Sequence, residues 1–298
     1  MKLSAYTRTN PEINQKSAWP RLRQTIPSFS YLRPGFNKPD CREPLDAASP
    51  APTPDTVRTF YLAKYQLSID IEIFDQPAQK PHATQQSLIN KIADITRLAW
   101  EDFGEVVQSW FEWASVLVLV RVEGKIVGFN ACTFEDDRVA LYLASFVLPE
   151  YQSVGISKIM QNMMIKKMLY QRGLRRFFEP VWFTFRTQNP RVVQRVMRYR
   201  AAPCVKGTPA SEQERNIARG VAQRFSPHCE FDDQHFVLKG ALKDKPDLLQ
   251  SEKIFYSGNP TVDTFCQQHL KYEEQNGNLF ICVGRFNWIQ QLYFWLMY

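Results

Sequence analysis

Several patterns that mark metal proteins are missing from this chain of 298 residues. Its six cysteines and four histidines form no Cys-x-x-Cys pair and no His-Glu-x-x-His or His-x-x-Glu-His arrangement, the spacings that hold metals. The one close pair is His228 and Cys229, and no second pair at ligand spacing accompanies it. We therefore expect no metal cofactor and cysteines that stay reduced, as they do in a cytosol.

Long apolar runs are missing as well. No stretch approaches the roughly 18 apolar residues that span a bilayer, and the N-terminal MKLSAYTRTNPEINQK lacks the apolar core of a signal peptide. The longest apolar cluster is residues 288–298, where Trp288, Leu292, Trp295 and Leu296 fall near one helical face. We expect a soluble, cytoplasmic protein without a membrane span. The aromatic tail is expected to pack on the core or to form a homodimer, because it lacks the basic face of a membrane-surface helix.

Acidic residues are scarce in one part of the chain. Residues 156–200 hold three lysines and eight arginines against Glu179 alone, so this segment carries +10 while the whole chain carries +7. Such a concentration of positive charge favours a polyphosphate cofactor or a nucleic acid as partner. A solvated helix face is the structural alternative for part of these charges.

The distribution of prolines and apolar residues predicts how the chain is organised. Residues 1–56 are rich in proline and include AASPAPTPD, which predicts an extended arm preceding a folded domain at 57–298. Apolar alternation predicts a strand at 65–75, and helical spacing predicts helix from Thr84. The run at 116–148 reads as three strands in an antiparallel meander, with turns at Glu123-Gly124 and Asp136-Asp137.

The second half of the chain continues to alternate helices and strands. A helix at 155–171 precedes a strand at 180–188, and Asn189-Pro190 is a typical helix start, with Asn as N-cap and Pro at the first helical position. The polar segment 201–232 predicts an insertion with a short helix. A strand at 233–242, a helix at 260–275 and a strand at 278–286 follow. Together these elements predict an α/β (α+β) fold with a mixed, mostly antiparallel central sheet flanked by helices.

The junction between the third meander strand and the next helix carries the sequence Gln152-Ser-Val-Gly-Ile-Ser157. A helix start offers backbone N–H groups without partners and the positive end of the helix dipole, which together favour a diphosphate. Gly155 leaves room for close approach, and no acidic residue lies between Tyr151 and Gln171. The sequence therefore predicts an anion site at this junction.

This motif and its place in the chain resemble the GNAT superfamily of acyl-CoA N-acyltransferases, whose members carry Gln/Arg-x-x-Gly-x-Gly/Ala between a strand and a helix. Ser157 stands where the family has Gly or Ala. The resemblance covers residues 61–200 well and 233–286 loosely. It implies that loop N–H groups hold the CoA pyrophosphate, that the preceding strand splays to pair its backbone with pantetheine, and that Asn189 contacts the cofactor or only caps its helix. The residues so assigned are Phe146, Val147, Leu148, Gln152, Ser153, Val154, Gly155, Ile156, Ser157 and Asn189.

The resemblance also implies a general acid for the departing thiolate. GNAT proteins often place a tyrosine in the helix after the Asn, but Val196 stands at that position here, and Tyr199, one turn later, is the candidate catalytic residue. Packing or solvent exposure is its structural alternative. No general base is evident. Glu135, Asp136 and Asp137 at the second meander turn are expected to be solvated. A water-mediated relay through Tyr142, Ser145 or His235 competes with a structural role for each.

Three functions follow from these residues. The first is an acyl-CoA-dependent N-acyltransferase that uses acetyl-CoA or another acyl-CoA, with a small-molecule or protein amine as acceptor. The basic segment motivates the second, a GNAT-like aminoacyl transferase or RNA-binding protein. The missing base motivates the third, a non-catalytic GNAT-fold interaction protein. The sequence does not indicate the acyl acceptor.

Overall fold

A computed structural model describes residues 52–297 of the chain, except 100–103, 136–137, 153, 174–175, 177, 200–201, 206, 208, 244–255 and 275. The strands within these residues are β1 Thr56–Leu62, β2 Leu67–Asp75, β3 Val116–Val122, β4 Lys125–Glu135, β5 Val139–Val147, β6 Val181–Thr187, β7 Phe231–Asp232, β8 Val237–Leu238 and β9 Leu279–Phe286. The α-helices are α1 His82–Ala99, α2 Gly104–Trp113, α3 Ile156–Arg172, α4 Pro190–Val196, α5 Glu212–Phe225, α6 Pro260–Leu270 and α7 Trp288–Met297.

All of these strands form one sheet in the order β1-β2-β3-β4-β5-β6-β9-β8-β7. Neighbouring strands are antiparallel except β5 and β6, which are parallel. Helices cover both faces. Phe146 of β5 packs against Trp110 of α2, whereas Tyr142 of the same strand reaches α3 from the opposite face. The mixed, mostly antiparallel α/β fold predicted from the sequence is confirmed.

The three strands at 116–148 form the antiparallel meander that the alternation of apolar residues predicted. β3 and β4 are joined at Glu123 and Gly124, which have φ of 51° and 82°, as a tight hairpin turn requires. β4 and β5 pair in register from Gly128 opposite Val147, with one irregularity: β5 has one residue more than β4 at Leu143, a β-bulge. The predicted turn at 136–137 lies outside the described residues.

Four elements differ from the sequence prediction. β1 was not predicted; it lies at the edge of the sheet, and most of its side chains are exposed. The segment from Thr84 forms two helices, α1 and α2. The strand predicted at 233–242 is only β8, because Phe236 and Gly240 adopt positive φ on either side of it. The helix predicted at 260–275 ends at Leu270, since Lys271 adopts a left-handed conformation.

The segment predicted as an insertion contains the 14-residue helix α5, which packs on β9. The division of the chain into an arm at 1–56 and a domain at 57–298 stays a prediction, because residues 1–51 lie outside the described residues.

The aromatic tail forms α7. Gln291 and Phe294 are buried on its inner side, whereas Trp288 and Leu296, predicted on the packing face, are 48% and 66% exposed. Dimerisation through this helix stays a prediction. Among the described helices, none has both the length and the apolar character that crossing a bilayer would take.

Candidate functional site

The sheet opens between β5 and β6. These two strands pair only at Val139–Trp182, Ala140–Phe183 and Leu141–Thr184. Beyond that point β5 continues along β4 as far as Val147, and β6 continues along β9 as far as Thr187. We call the gap between residues 142–147 and 185–187 the wedge. It exposes one edge of β5 to whatever occupies the gap, as the resemblance implied.

The register decides which backbone groups face the wedge. The Leu148 N–H donates to the Val127 carbonyl at 2.8 Å, which makes these two residues a hydrogen-bonded pair. In an antiparallel ladder, every second residue points its N–H and C=O groups at the partner strand. Phe146 therefore also points them at β4, whereas Ser145 and Val147 point them into the wedge. Of the three strand residues assigned to the cofactor, Val147 is therefore the one whose backbone faces the wedge. Ser145, whose backbone was not assigned, faces it too.

The loop after β5 is tied back onto that strand by Gln152. Its side-chain Nε2 donates to the Val147 carbonyl at 3.0 Å, which fixes the loop across the end of the wedge. Gly155 has φ of 98°, a conformation that a residue with a side chain rarely adopts, and a Cβ built there would meet nothing within 4 Å. The backbone at Gly155 is thus bare and open to solvent. Ser153 lies outside the described residues.

Helix α3 begins without a side-chain cap. The N–H groups of Lys158 and Ile159 donate to the Gly155 carbonyl, but those of Gly155, Ile156 and Ser157 have no acceptor among the described residues. Unpaired donors at the positive end of a 17-residue helix form a ready anion site. The structure thus leaves open the donors that the sequence assigned to a pyrophosphate.

Asn189 caps α4 at the same end of the sheet, because β5 and β6 run parallel. Its side-chain oxygen accepts from the Arg191 N–H at 2.9 Å, and its own N–H donates to Thr187 Oγ1 at 2.9 Å. The capping role predicted as the alternative is present. The side-chain nitrogen of Asn189 has no partner within the described part of the chain, which leaves one donor for a ligand.

Tyr142 lies at the start of the wedge on the α3 face. Its ring stacks on Phe185 with centroids 4.6 Å apart, and its hydroxyl donates to the Gln161 carbonyl of α3 at 3.3 Å. Burial raises the pKa of Tyr142 well above its usual value, and the neighbouring Cys132 raises it further. This hydroxyl is held protonated and engaged.

Tyr199 lies close to Tyr142. It ends the 3₁₀ turn Met197–Tyr199 that follows α4. Its ring is half-buried and meets Phe183 and Phe286 edge-on at 5.4 and 5.1 Å. A charge on Tyr199 would disfavour one on Tyr142, which raises the pKa of the latter. These contacts place the candidate acid on the α3 face of the sheet, beside the part of β6 that still pairs with β5.

The candidate bases separate in space. Glu135, expected to be solvated, is instead largely buried and pairs with Arg224 of α5, so that expectation is wrong. The Nδ1 atom of His235 lies 2.8 Å from the Asp232 carboxylate, and the His235 ring stacks on that of His269. His235 lies beside β8, and β9 separates it from β6. That pair lines a separate cavity of about 530 Å³. Of the three residues considered for a relay, Tyr142 and Ser145 border the wedge and His235 does not.

Several described cations of the basic segment at 156–200 are buried or paired within the chain. Lys167 pairs with Asp75 at 2.5 Å, and the buried Arg172 lies 3.5 Å from the carboxylate of Glu179. Lys166 is buried along its length, with its ammonium over the ring of Tyr170. Much of the charge thus serves packing and ion pairs. The described residues contain no group of His, Cys, Asp and Glu that would hold a metal ion.

Part of the chain that forms this geometry matches a known protein family. Residues 86–191 match the family model described as the acetyltransferase (GNAT) family, so the resemblance predicted from the sequence is confirmed for this segment, which includes β3 to β6 and α3. No match to a curated protein was found.

Solved structures with a similar arrangement include several acetyltransferases. The aminoglycoside 6'-N-acetyltransferase from Enterococcus faecium is 16% identical, over 39% of this chain and 60% of that one, with a TM-score of 0.30. The ribosomal-protein-S18-alanine N-acetyltransferase from Escherichia coli is 16% identical, over 47% and 79%, with a TM-score of 0.33. Ard1 from Thermoplasma volcanium is 15% identical, over 48% and 84%, with a TM-score of 0.32. We draw nothing further from likenesses at TM-scores this low.

Proposed function

We propose that this protein is an acyl-CoA-dependent N-acyltransferase, with acetyl-CoA as the expected donor and a small-molecule or protein amine as acceptor. The observation that carries the proposal is the wedge beside the uncapped start of α3. One strand edge and three helix-start N–H groups without an acceptor among the described residues converge there, within a segment that matches the acetyltransferase (GNAT) family. A diphosphate joined to an extended amide chain has the chemistry that these two features complement.

The residues at the wedge suit the two parts of CoA in different ways. The N–H groups of Gly155, Ile156 and Ser157 would hold the diphosphate, since they point from a helix start and carry no partner among the described residues. The backbone groups of Ser145 and the N–H of Val147 would pair with the amides of pantetheine, as a partner strand does, while the Val147 carbonyl accepts from Gln152. The bound thioester supplies the acyl group.

Tyr199 is the residue to which we assign the acid. Acyl transfer from a thioester needs a proton donor for the departing thiolate, and a tyrosine hydroxyl is protonated at neutral pH. Tyr199 is half-buried against Phe183, two residues before the wedge begins at Phe185, and none of the described residues accepts a hydrogen bond from its hydroxyl. Tyr142 is the less suitable donor, because its hydroxyl is already bonded to α3.

Binding and turnover of acetyl-CoA test the proposal together. Acetyl-CoA is expected to raise the melting temperature of the protein, since a ligand that binds only the folded state stabilises it. A panel of primary amines is then offered with acetyl-CoA, and free thiol is measured. Absence of a thermal shift with every acyl-CoA tried would reject the proposal, and a shift without thiol release from any amine would favour a non-catalytic role.

Tyr199→Phe tests the assignment of the acid. Removing the hydroxyl should lower kcat by roughly a hundredfold, the usual size of a general-acid contribution, with the KM for acetyl-CoA unchanged. Tyr142→Phe is the matched control, since it removes a neighbouring hydroxyl but keeps the ring against Phe185. If the two variants exchange these results, the acid is Tyr142 and the assignment is wrong.

A further inference from the structure

Arg186 lies on the face of the wedge away from α3. It is two residues past Thr184, the last residue of β6 that pairs with β5, a distance of about 7 Å along a strand. Alternation places its side chain opposite that of Phe185, which stacks on Tyr142 on the α3 face. The wedge is therefore bordered by Tyr142 on one face and by a guanidinium on the other.

The guanidinium of Arg186 is held by an aromatic ring instead of an acid. Its central carbon lies 3.9 Å from the centroid of the Phe225 ring of α5. In the described part of the chain, no carboxylate lies within ion-pair distance and no group accepts its hydrogen bonds. Burial lowers the pKa of Arg186 to about 10. Its neighbour Arg224, by contrast, contacts the same ring but is neutralised by Glu135.

A half-buried cation without a counter-ion costs stability. Desolvating a charge is unfavourable unless it is paired, and an apolar side chain of similar length would cover Phe225 without that cost. The remaining N–H donors of a guanidinium stacked on one ring form a planar fork suited to a carboxylate. This placement is explained if an anionic group of a ligand completes it.

We propose that Arg186 binds a carboxylate of the acyl acceptor, so that the acceptor class is an amine carrying a carboxylate, such as a free amino acid. The inference rests on the proposed function. The donor's own anionic groups are assigned to the start of α3, at the end of the sheet beyond Val147. An acceptor amine that enters the wedge from the face opposite α3 would lie near Arg186, which is two residues beyond the last β5–β6 pair.

Paired acceptors test this inference. Free L-amino acids and their carboxamides are compared as acceptors with acetyl-CoA, in the unaltered protein and in Arg186→Met. The unaltered protein should prefer the acids. Arg186→Met should raise the KM for the acids by roughly tenfold to a hundredfold, the value of a charge-assisted bidentate contact, and leave the carboxamides unchanged. A carboxamide has the less basic amine, so more of it is neutral, and a preference for the acid is not an effect of amine reactivity.

Arg285→Met is the matched control. Arg285 of β9 lies on the same face of the sheet, exposed and over the ring of Trp182 at 5.9 Å, so the same substitution removes the same charge from that face without emptying the wedge. It should leave both acceptor classes unaffected. The melting temperature of Arg186→Met should stay level or rise, whereas a purely structural role for Arg186 would lower it.

Other outcomes would overturn the inference. Equal use of acids and carboxamides by the unaltered protein would do so, as would an equal loss of both in Arg186→Met; acyl transfer itself, and hence the proposed function, would still stand. If no amine is acylated, calorimetry decides separately: N-acetyl amino acids should bind the protein in the presence of CoA, and their amides should not. Equal binding of N-acetyl amino acids and their amides would show that Arg186 does not form a carboxylate site.

Discussion

Helices α3 and α5 begin in opposite ways. At α5, the Ser211 hydroxyl accepts from the Glu214 N–H and the Glu214 carboxylate accepts from the Ser211 N–H, a reciprocal capping box. At α3, the N-cap position is Gly155, which has no side chain to offer. The same chain therefore caps the start of α5 from within. Among the described residues it leaves open the donors of α3, the helix that borders the wedge.

The difference matters because unpaired donors at a helix start cost stability. A side-chain cap contributes about 1 kcal/mol, and helices α4 and α6 also have one, from Asn189 and Asn259. Among the described α-helices whose N-cap contacts the structure gives, α3 is thus the exception, and it is the one beside a gap in the sheet. A ligand that supplies the missing acceptors explains the exception.

The largest expected effect comes from placing a negative charge at the open helix start. Gly155→Asp should weaken acetyl-CoA binding by roughly a hundredfold through like-charge repulsion with a diphosphate. The thermal shift measures this loss. Gly173→Asp is the control, because Gly173 at the other end of α3 also has positive φ and open space around its Cβ. Both variants should lose about 1 to 2 kcal/mol through backbone strain, and Gly173→Asp should lose more because its charge lies at the negative end of the helix dipole. Only Gly155→Asp should lose the shift. Equal shifts would break the comparison.

A smaller effect is expected where β4 supports the end of β5. A Cβ at Gly128 would lie 2.7 Å from the Phe146 carbonyl oxygen and 3.2 Å from Val147 Cγ2, so β5 must move. Gly128→Ala should lower the free energy of unfolding by about 1 to 3 kcal/mol and reduce the acetyl-CoA shift, as read from denaturant and thermal titrations.

Gly124→Ala serves as the comparison for that variant. Gly124 lies in the β3–β4 turn with φ of 82° and no atom near its Cβ. Its substitution should lower stability through backbone strain yet keep the full shift. If Gly128→Ala also keeps the full shift, the end of β5 does not take part in binding the donor.

The smallest effect should come from the capped helix. Ser211→Ala removes the hydroxyl of the capping box and should lower the free energy of unfolding by about 1 kcal/mol, measured by urea denaturation. The acetyl-CoA shift should be unchanged, because the start of α5 is already satisfied from within the chain. A change in that shift would show that the two helix starts do not differ as we describe.

The sequence predicted those features that depend on local pattern. Alternation revealed the meander at 116–148, and the loop ending at Ser157 carried the family resemblance. The edge strand β1 was missed because it adjoins the proline-rich segment and contains no fully buried residue. The capping box at Ser211 was a readable signal, Ser-x-x-Glu, that the polar character of 201–232 concealed.

Features that depend on how the strands pair could not be predicted from the sequence. The wedge arises because β6 follows β9 after Thr184, and the alternation of either strand is the same whether or not they diverge. The resemblance implied a splayed strand but not which backbone groups it exposes, since that depends on the ladder register at Leu148. Arg186 was counted only as one charge of a basic segment. Its position over Phe225 joins a strand to a helix about 40 residues later, a contact that no local pattern indicates.

Backbone amide shifts during a CoA titration test the central claim most directly. In an isotope-labelled sample, the amide resonances of Gly155, Ile156 and Ser157 should move on addition of CoA, since their N–H groups gain acceptors. The amides of Glu212 and Glu214 at the capped start of α5 should stay in place. Movement at both helix starts, or at neither while CoA binds, would contradict the assignment of the donor site to α3.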